Sequence, residues 1–386
     1  MVETPGAQTA RVNAIDKAAL TPLVRGALNS PTVEVTSWDS EQLHGGLGTG
    51  TAVHRFTGNA CDQDRGVAWS LILKELSLEG GTVEVWAEEA NRGEVAAYQS
   101  GWLDDLPGGL TAPQCYGVTD HPDGTCWLWL EDVTDEIGKP WPLKHYSVVA
   151  RHLGQFNGAY LVDRPMPSLP WLTSGGQRET FDQLAPVMLV LRDSLDHPLV
   201  NQLLPGDAGE RLLRIWEERD LYLDALDRLP QTLCHGDAFH RNLFARKTAT
   251  REDETVAVDW AYAGRRATGA ELVPLIQAGV GFFEIELAQL QDLEATAFEG
   301  YLEGLRDAGW RGDRQQVRLG YTAASLHYFI GTTAMAVPMI LDENLHGWFQ
   351  QSFGHPVDEV LDHWSQGGEF IRSRIYEARE LIEAHG

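Results

Sequence analysis

Near Asp132 the apolar pattern of this 386-residue chain changes period, and that switch restricts the fold more than any other feature. Before it, short β-leaning runs dominate: 32–38, 51–56, 67–76, 114–118 and 126–130, with one helical stretch over 84–103. Glycine, proline and Asp-Gly turns punctuate them. After it, helical spacing runs through 143–161, 181–194, 209–229, 270–283, 286–308, 315–339 and 357–384. Only 232–258 interrupts the helices, with short strand-like runs. A β-rich front and a helical rear predict an α+β fold of two lobes. The expected division is a helical extension over 1–30, a front lobe over 31–131 and a rear lobe over 132–386.

Composition narrows the partners. The chain carries 30 Lys+Arg against 56 Asp+Glu, a net charge of −26. Such a surplus repels nucleic-acid phosphates and anionic lipid surfaces, so neither is an expected partner. Cys61, Cys115, Cys126 and Cys234 have neither zinc-ligand nor disulfide-framework spacing, which fits free thiols in a reducing compartment. The first ten residues include Glu3 and Pro5 and no apolar run, so no signal peptide is expected, and the expected location is cytoplasmic.

The chemistry concentrates in Leu233-Cys234-His235-Gly236-Asp237-Ala238-Phe239-His240-Arg241-Asn242-Leu243-Phe244. Seventeen positions after Asn242, the apolar run Val256-Ala257-Val258 ends in Asp259-Trp260. Phosphoryl transfer from a nucleotide needs a carboxylate to orient the attacking hydroxyl, and an amide oxygen with a second carboxylate to hold magnesium. Asp237, Asn242 and Asp259 are such a set.

On these residues the chain resembles the aminoglycoside phosphotransferase and choline kinase-like superfamily, small-molecule kinases with a protein-kinase-like fold. The resemblance spans about residues 35–340. It implies a small β-rich N-lobe with one long helix and a large, mainly helical C-lobe. It further implies Asp237 as catalytic base, Asn242 and Asp259 as magnesium ligands, and Mg-ATP as phosphoryl donor.

The front half supplies matching parts. Lys74, at the end of Leu71-Ile72-Leu73, is the only lysine between Lys17 and Lys139. An ammonium on an apolar strand needs a partner. The resemblance implies Glu94, with Glu88 and Glu89 as alternatives. The glycine-dense turn 45–50, with Gly46 and Gly48, reads as a cover for phosphates, although it does not fit G-x-G-x-x-G. By resemblance the backbone from Glu131 to Val133 would hydrogen-bond adenine.

Two departures are informative. Many relatives carry glycine where this chain has Arg241, whose side chain would meet a phosphate or substrate anion or point to solvent. Asp259 is followed by Trp260-Ala261, and no Ala-Pro-Glu segment follows, which favours a small hydroxyl acceptor over a protein. His235 reads as orienting its loop. Glu271, Glu284 and Glu286 would suit an amino-sugar acceptor of the aminoglycoside kind, or are solvated helix faces; Arg265 and Arg266 would favour an anion. The competing reading is a nucleotide-binding pseudokinase or regulator on the same fold. The sequence is silent on oligomeric state.

Overall fold

A computed structural model describes residues 11–12, 14–43, 51–78, 85–172, 177–247 and 253–385. The glycine turn that includes Gly46 and Gly48 lies outside the described residues.

The N-terminal half is built on a five-stranded antiparallel sheet: β1 (Glu34–Leu43), β2 (Thr51–Asp62), β3 (Arg65–Ser77), β5 (Cys115–Asp120) and β6 (Thr125–Glu131). Its order is β1-β2-β3-β6-β5. Strands β2 and β3 are longer than their apolar cores because a two-residue hairpin joins them. Gln63 and Asp64 both take positive φ, 46° and 69°, matching the twist of the flanking strands.

Strand side chains alternate between two faces. Leu71, Leu73, Trp69, Trp127 and Trp129 point one way, onto helix α1 (Lys17–Ala27), whose Leu20 and Val24 are fully buried. Asp16 starts α1 by accepting from Ala19 N at 2.9 Å. Helix α1, within the helical extension expected over 1–30, shares its core with the sheet. Leu76, Leu128 and Leu130 face the other way, toward helix α2 (Val85–Gln99) and its Val95. Lys74 lies on this inner face.

After α2 the chain dips into the second lobe. Strand β4 (Leu110–Thr111) pairs in parallel with β9 (Asp253–Ala257), and Leu103 and Leu110 belong to the large helical core. The chain then returns for β5 and β6.

The second lobe surrounds α3 (Leu143–Val162). It adds α4 (Gln177–Asp193), α5 (Pro198–Leu203), α6 (Ala208–Glu217), α7 (Arg219–Arg228), α8 (Leu290–Asp307), α9 (Arg314–Leu341), α10 (His346–Phe353) and α11 (Val357–His385). Helices α3 and α8 pack with their backbones almost touching. A Cβ on Gly154 would lie 2.2 Å from Tyr301 O, and one on Gly304 would lie 2.0 Å from Arg151 O. Among the described residues α9 is the one helix long and apolar enough to cross a membrane; here it is a core helix with Tyr321, Leu326 and Ile330 fully buried. The helix expected over 270–283 is instead a π-helical turn, Pro274–Ala278, followed by one short turn. Short strands β7 (Gln231–Cys234), β8 (Leu243–Lys247), β9 and β10 (Gly264–Ala267) carry the chemistry-bearing loops.

Candidate active site

Two loops lie side by side where the lobes meet. Residues 235–242 connect β7 to β8, and 258–263 connect β9 to β10. The hairpin β8–β9 and the pair β7–β10 hold their ends in register, with Leu243 opposite Ala257 and Cys234 opposite Gly264. Val258 N donates to Asn242 O at 2.9 Å, tying one loop to the other.

His235 is buried and locked in a single tautomer. Its Nε2–H donates to Val258 O at 3.0 Å, and its Nδ1 accepts from Asp237 N at 3.3 Å. Burial pushes its pKa down, so the ring stays neutral and orients the loop. Gly236 has φ +86°, and a Cβ there would lie 2.3 Å from Tyr262 O, so glycine alone fits this turn.

Beneath the loop is a buried polar network. Glu271, 1% exposed, accepts from His235 N at 2.7 Å, Gly236 N at 3.0 Å and Asn157 Nδ2 at 3.3 Å. Asn157 also donates to Leu233 O at 2.7 Å, and Tyr301 Oη donates to Asn157 Oδ1 at 2.6 Å. Glu271 is thus neither a pocket acid nor a solvated one; it is the anchor of the Asp237 loop. Sequence reasoning missed Asn157 and Tyr301, and the only signal was a polar residue in an otherwise apolar stretch of α3.

Asn242 Nδ2 donates to Asp237 Oδ2 at 2.8 Å, which fixes that carboxylate and leaves the Asn242 amide oxygen available. Burial and the neighbouring Asp259 push Asp237 up to about 8, against the pull of Asn242, Lys74 and Arg266. Asp259 itself sits at φ +65°, an uncommon conformation for a residue with a side chain and a form of strain that clusters at functional sites. Its Oδ1 lies 3.1 Å from Lys74 Nζ.

Lys74 completes the cluster. Its Nζ donates to Glu94 Oε1 at 2.7 Å and Oε2 at 2.6 Å, with Glu94 fully buried. Glu89 is exposed, and it is Glu94 that α2 presents to the strand. Burial pulls the Lys74 ammonium down, but Asp259 and Glu94 outweigh it and hold its pKa above the ordinary range. Burial also lifts Glu94 above the usual carboxylate range, against the pull of Lys74. Helix α2 rests on the turn after Asp259, where a Cβ on Gly93 would meet Ala261 O at 3.5 Å.

The strand after the sheet crosses to the second lobe at Glu131 to Val133. Glu131 reaches Arg246 of β8, 2.7 Å from Nη1, and Asp132 accepts from Arg55 Nε at 2.9 Å and from Ser70. Val133 N–H has no hydrogen-bond partner among the described residues. Its neighbours' side chains act as braces between elements, a role the sequence did not disclose. Arg241 points at neither loop carboxylate: its Nε donates to Glu284 Oε1 at 2.8 Å, and its guanidinium covers the Phe282 ring at 4.0 Å.

The structure therefore brings Lys74, Glu94, Asp237, Asn242 and Asp259 into one connected cluster between the lobes. Solved structures show the same architecture. The ethanolamine kinase of Plasmodium vivax superposes with a TM-score of 0.51 at 13% identity, over 96% of this chain and 91% of that one. The fold is that of the small-molecule kinases. The amicoumacin kinase hAmiN, solved with AMP-PNP, Ca2+ and amicoumacin, gives 0.51 at 13% identity over 93% and 96% of the two chains. Choline kinase from Cryptosporidium parvum gives 0.51 at 11% over 90% and 91%. No family model and no curated protein matches the chain. At these identities the likeness establishes the fold, and the chemistry is argued from the site.

Proposed function

We propose that the protein is an ATP-dependent phosphotransferase that phosphorylates a hydroxyl group of a small molecule. The observation that carries this reading is the pair of bonded groups Glu94–Lys74–Asp259 and Asp237–Asn242, drawn from both lobes and tied by the Val258 N–Asn242 O bond. Lys74, clamped by Glu94, would hold donor phosphates as a fixed positive charge. Asp237, its second oxygen unclaimed by Asn242, would orient the acceptor hydroxyl and receive its proton. The glycine turn with Gly46 and Gly48 would cover the phosphates, and the backbone from Glu131 to Val133 would bind the base.

The donor set fits a hard cation. Asn242 offers an amide oxygen and Asp259 a part-exposed carboxylate. Among the described residues no cluster of three or more His, Cys, Asp or Glu forms a self-sufficient metal site. Two protein oxygens suit magnesium, which keeps waters and phosphate oxygens in its shell. Bound there, it would neutralise phosphate charge and offset the repulsion between Asp259 and Asp237. A degraded site would have lost one of these five residues, and their presence together argues against the pseudokinase reading. Four free thiols support a reducing, cytoplasmic setting.

The test is magnesium-dependent ADP release across a panel of hydroxyl compounds, with Asp237→Asn as the blank. Acceptor-stimulated release in the wild type should vanish in the variant. Equal rates in both would sink the assignment.

A further inference from the structure

Around Asp237 the acids are already spent, while the donors are not. Glu271 is consumed by three N–H groups of the loop and of α3. Glu284 is held by Arg241 and by His240, and Glu286 is exposed. Asp259 has Lys74 on Oδ1 and is assigned to the cation that accompanies the donor phosphates. None is left to hold an ammonium group, which is what an amino-sugar acceptor would require.

Arg266 on β10 is the opposite case. Its Nη2 lies against the loop, 2.9 Å from where a Cβ on Gly236 would stand. Among the described residues its one hydrogen bond runs from Nη2 to Tyr262 O at 3.3 Å, and it has no ion-pair partner. Its Nε is buried with nothing to donate to. On α9, His327 Nδ1 is likewise buried without a partner and within electrostatic reach of Arg266, and the next residue, Tyr328, is within reach of Asp237. Its attraction to Asp237 acts through space and closes no ion pair, so its donor fork is still open, while in a chain of net charge −26 acidic partners are abundant elsewhere. Arginine presents a planar fork of donors that suits a carboxylate or phosphate.

We propose that Arg266 binds an anionic group of the acceptor, so that the substrate class is a hydroxylated carboxylate or a phosphate monoester. This rests on the phosphotransferase reading and replaces the amino-sugar expectation.

The experiment measures ADP release with three panels: hydroxy-carboxylates and sugar phosphates, neutral polyols, and amino alcohols with aminoglycosides. The anionic panel should contain the acceptors that exceed the Asp237→Asn blank. With them, Arg266→Gln should raise acceptor KM about tenfold to a hundredfold, the weight of a charged hydrogen bond, while KM for ATP stays within about twofold. Arg266→Lys should recover part of the loss. Turnover confined to the cationic or neutral panels overturns the proposal, as does a shift of Arg266→Gln that falls on ATP. If no panel turns over, thermal-shift titration of the Mg-ADP complex decides: anionic compounds must raise Tm in the wild type and not in Arg266→Gln, and equal responses overturn it. Failure of the wild type to bind ATP at all would instead reject the phosphotransferase reading.

Discussion

Replacing Glu271 by glutamine tests how the Asp237 loop is held. The two side chains are isosteric, so packing is preserved and only the acceptor inventory changes. The carboxylate uses Oε2 for His235 N and Asn157 Nδ2, and Oε1 for Gly236 N. An amide keeps one oxygen and turns its NH2 toward a backbone N–H. With the oxygen kept at the Oε2 position, Gly236 N is then bare, at about 1–3 kcal/mol, and the two surviving bonds lose their charge assistance. The sum is about 2–4 kcal/mol. Urea unfolding followed by tryptophan fluorescence, with a common m-value, measures it. The same displacement moves Asp237, and a misplacement of about 1 Å can cost about a hundredfold in rate, so kcat should fall about tenfold to a hundredfold with ATP affinity retained. Glu286→Gln, exposed, is the control and should stay within about 0.5 kcal/mol. If Glu271→Gln matched that control in stability and rate, the anchoring argument would be wrong.

Further expectations concern the strand lysine and a buried histidine. Glu94→Leu strands the buried Lys74 ammonium beside Asp259 alone and should cost about 3–5 kcal/mol; adding Lys74→Met should recover much of that stability but none of the activity, as urea midpoints and ADP release would show. His152, 8% exposed, has Nδ1 2.8 Å from Thr255 Oγ1, and burial holds it down to about 4. A depressed histidine means that the unfolded chain binds the proton first. Its contribution is therefore complete above pH about 6.5 and lost as pH falls toward 4, by at most about 3 kcal/mol. Urea midpoints between pH 7 and 4 should fall more steeply in the wild type than in His152→Asn; parallel slopes would exclude this residue as a source.

Loops that serve local chemistry were legible in the sequence, and long-range anchors were not. His235-Gly236-Asp237 and Asn242 are encoded within one short segment, so their spacing alone marks a turn between strands. Lys74 was legible as a lone cation on an apolar strand. Its partner Glu94 came from the resemblance, with Glu88 and Glu89 as alternatives; pattern alone does not choose among them, because the choice depends on how α2 rotates against β3 and the turn after Asp259. The contacts from Asn157 to Glu271 and Tyr301 bridge 114 and 144 residues, and no periodicity records them. The Gln63–Asp64 hairpin lacks the Asn-Gly signature yet adopts two positive φ angles, so β2 and β3 are longer than expected. Strand β4 is two residues long, too short for any alternation to show. Of the acids named for an acceptor pocket, Glu286 is solvated, as the alternative reading had it, while Glu271 and Glu284 are held by N–H groups that no sequence pattern shows.

The most direct test of the site is a calorimetric titration of ATP with and without magnesium into the wild type, Asp259→Asn and Asp237→Asn. The five-residue cluster predicts magnesium-dependent binding that Asp259→Asn weakens strongly and Asp237→Asn leaves within a few-fold. Binding that ignores magnesium and survives Asp259→Asn unchanged, or no binding in the wild type, would contradict it.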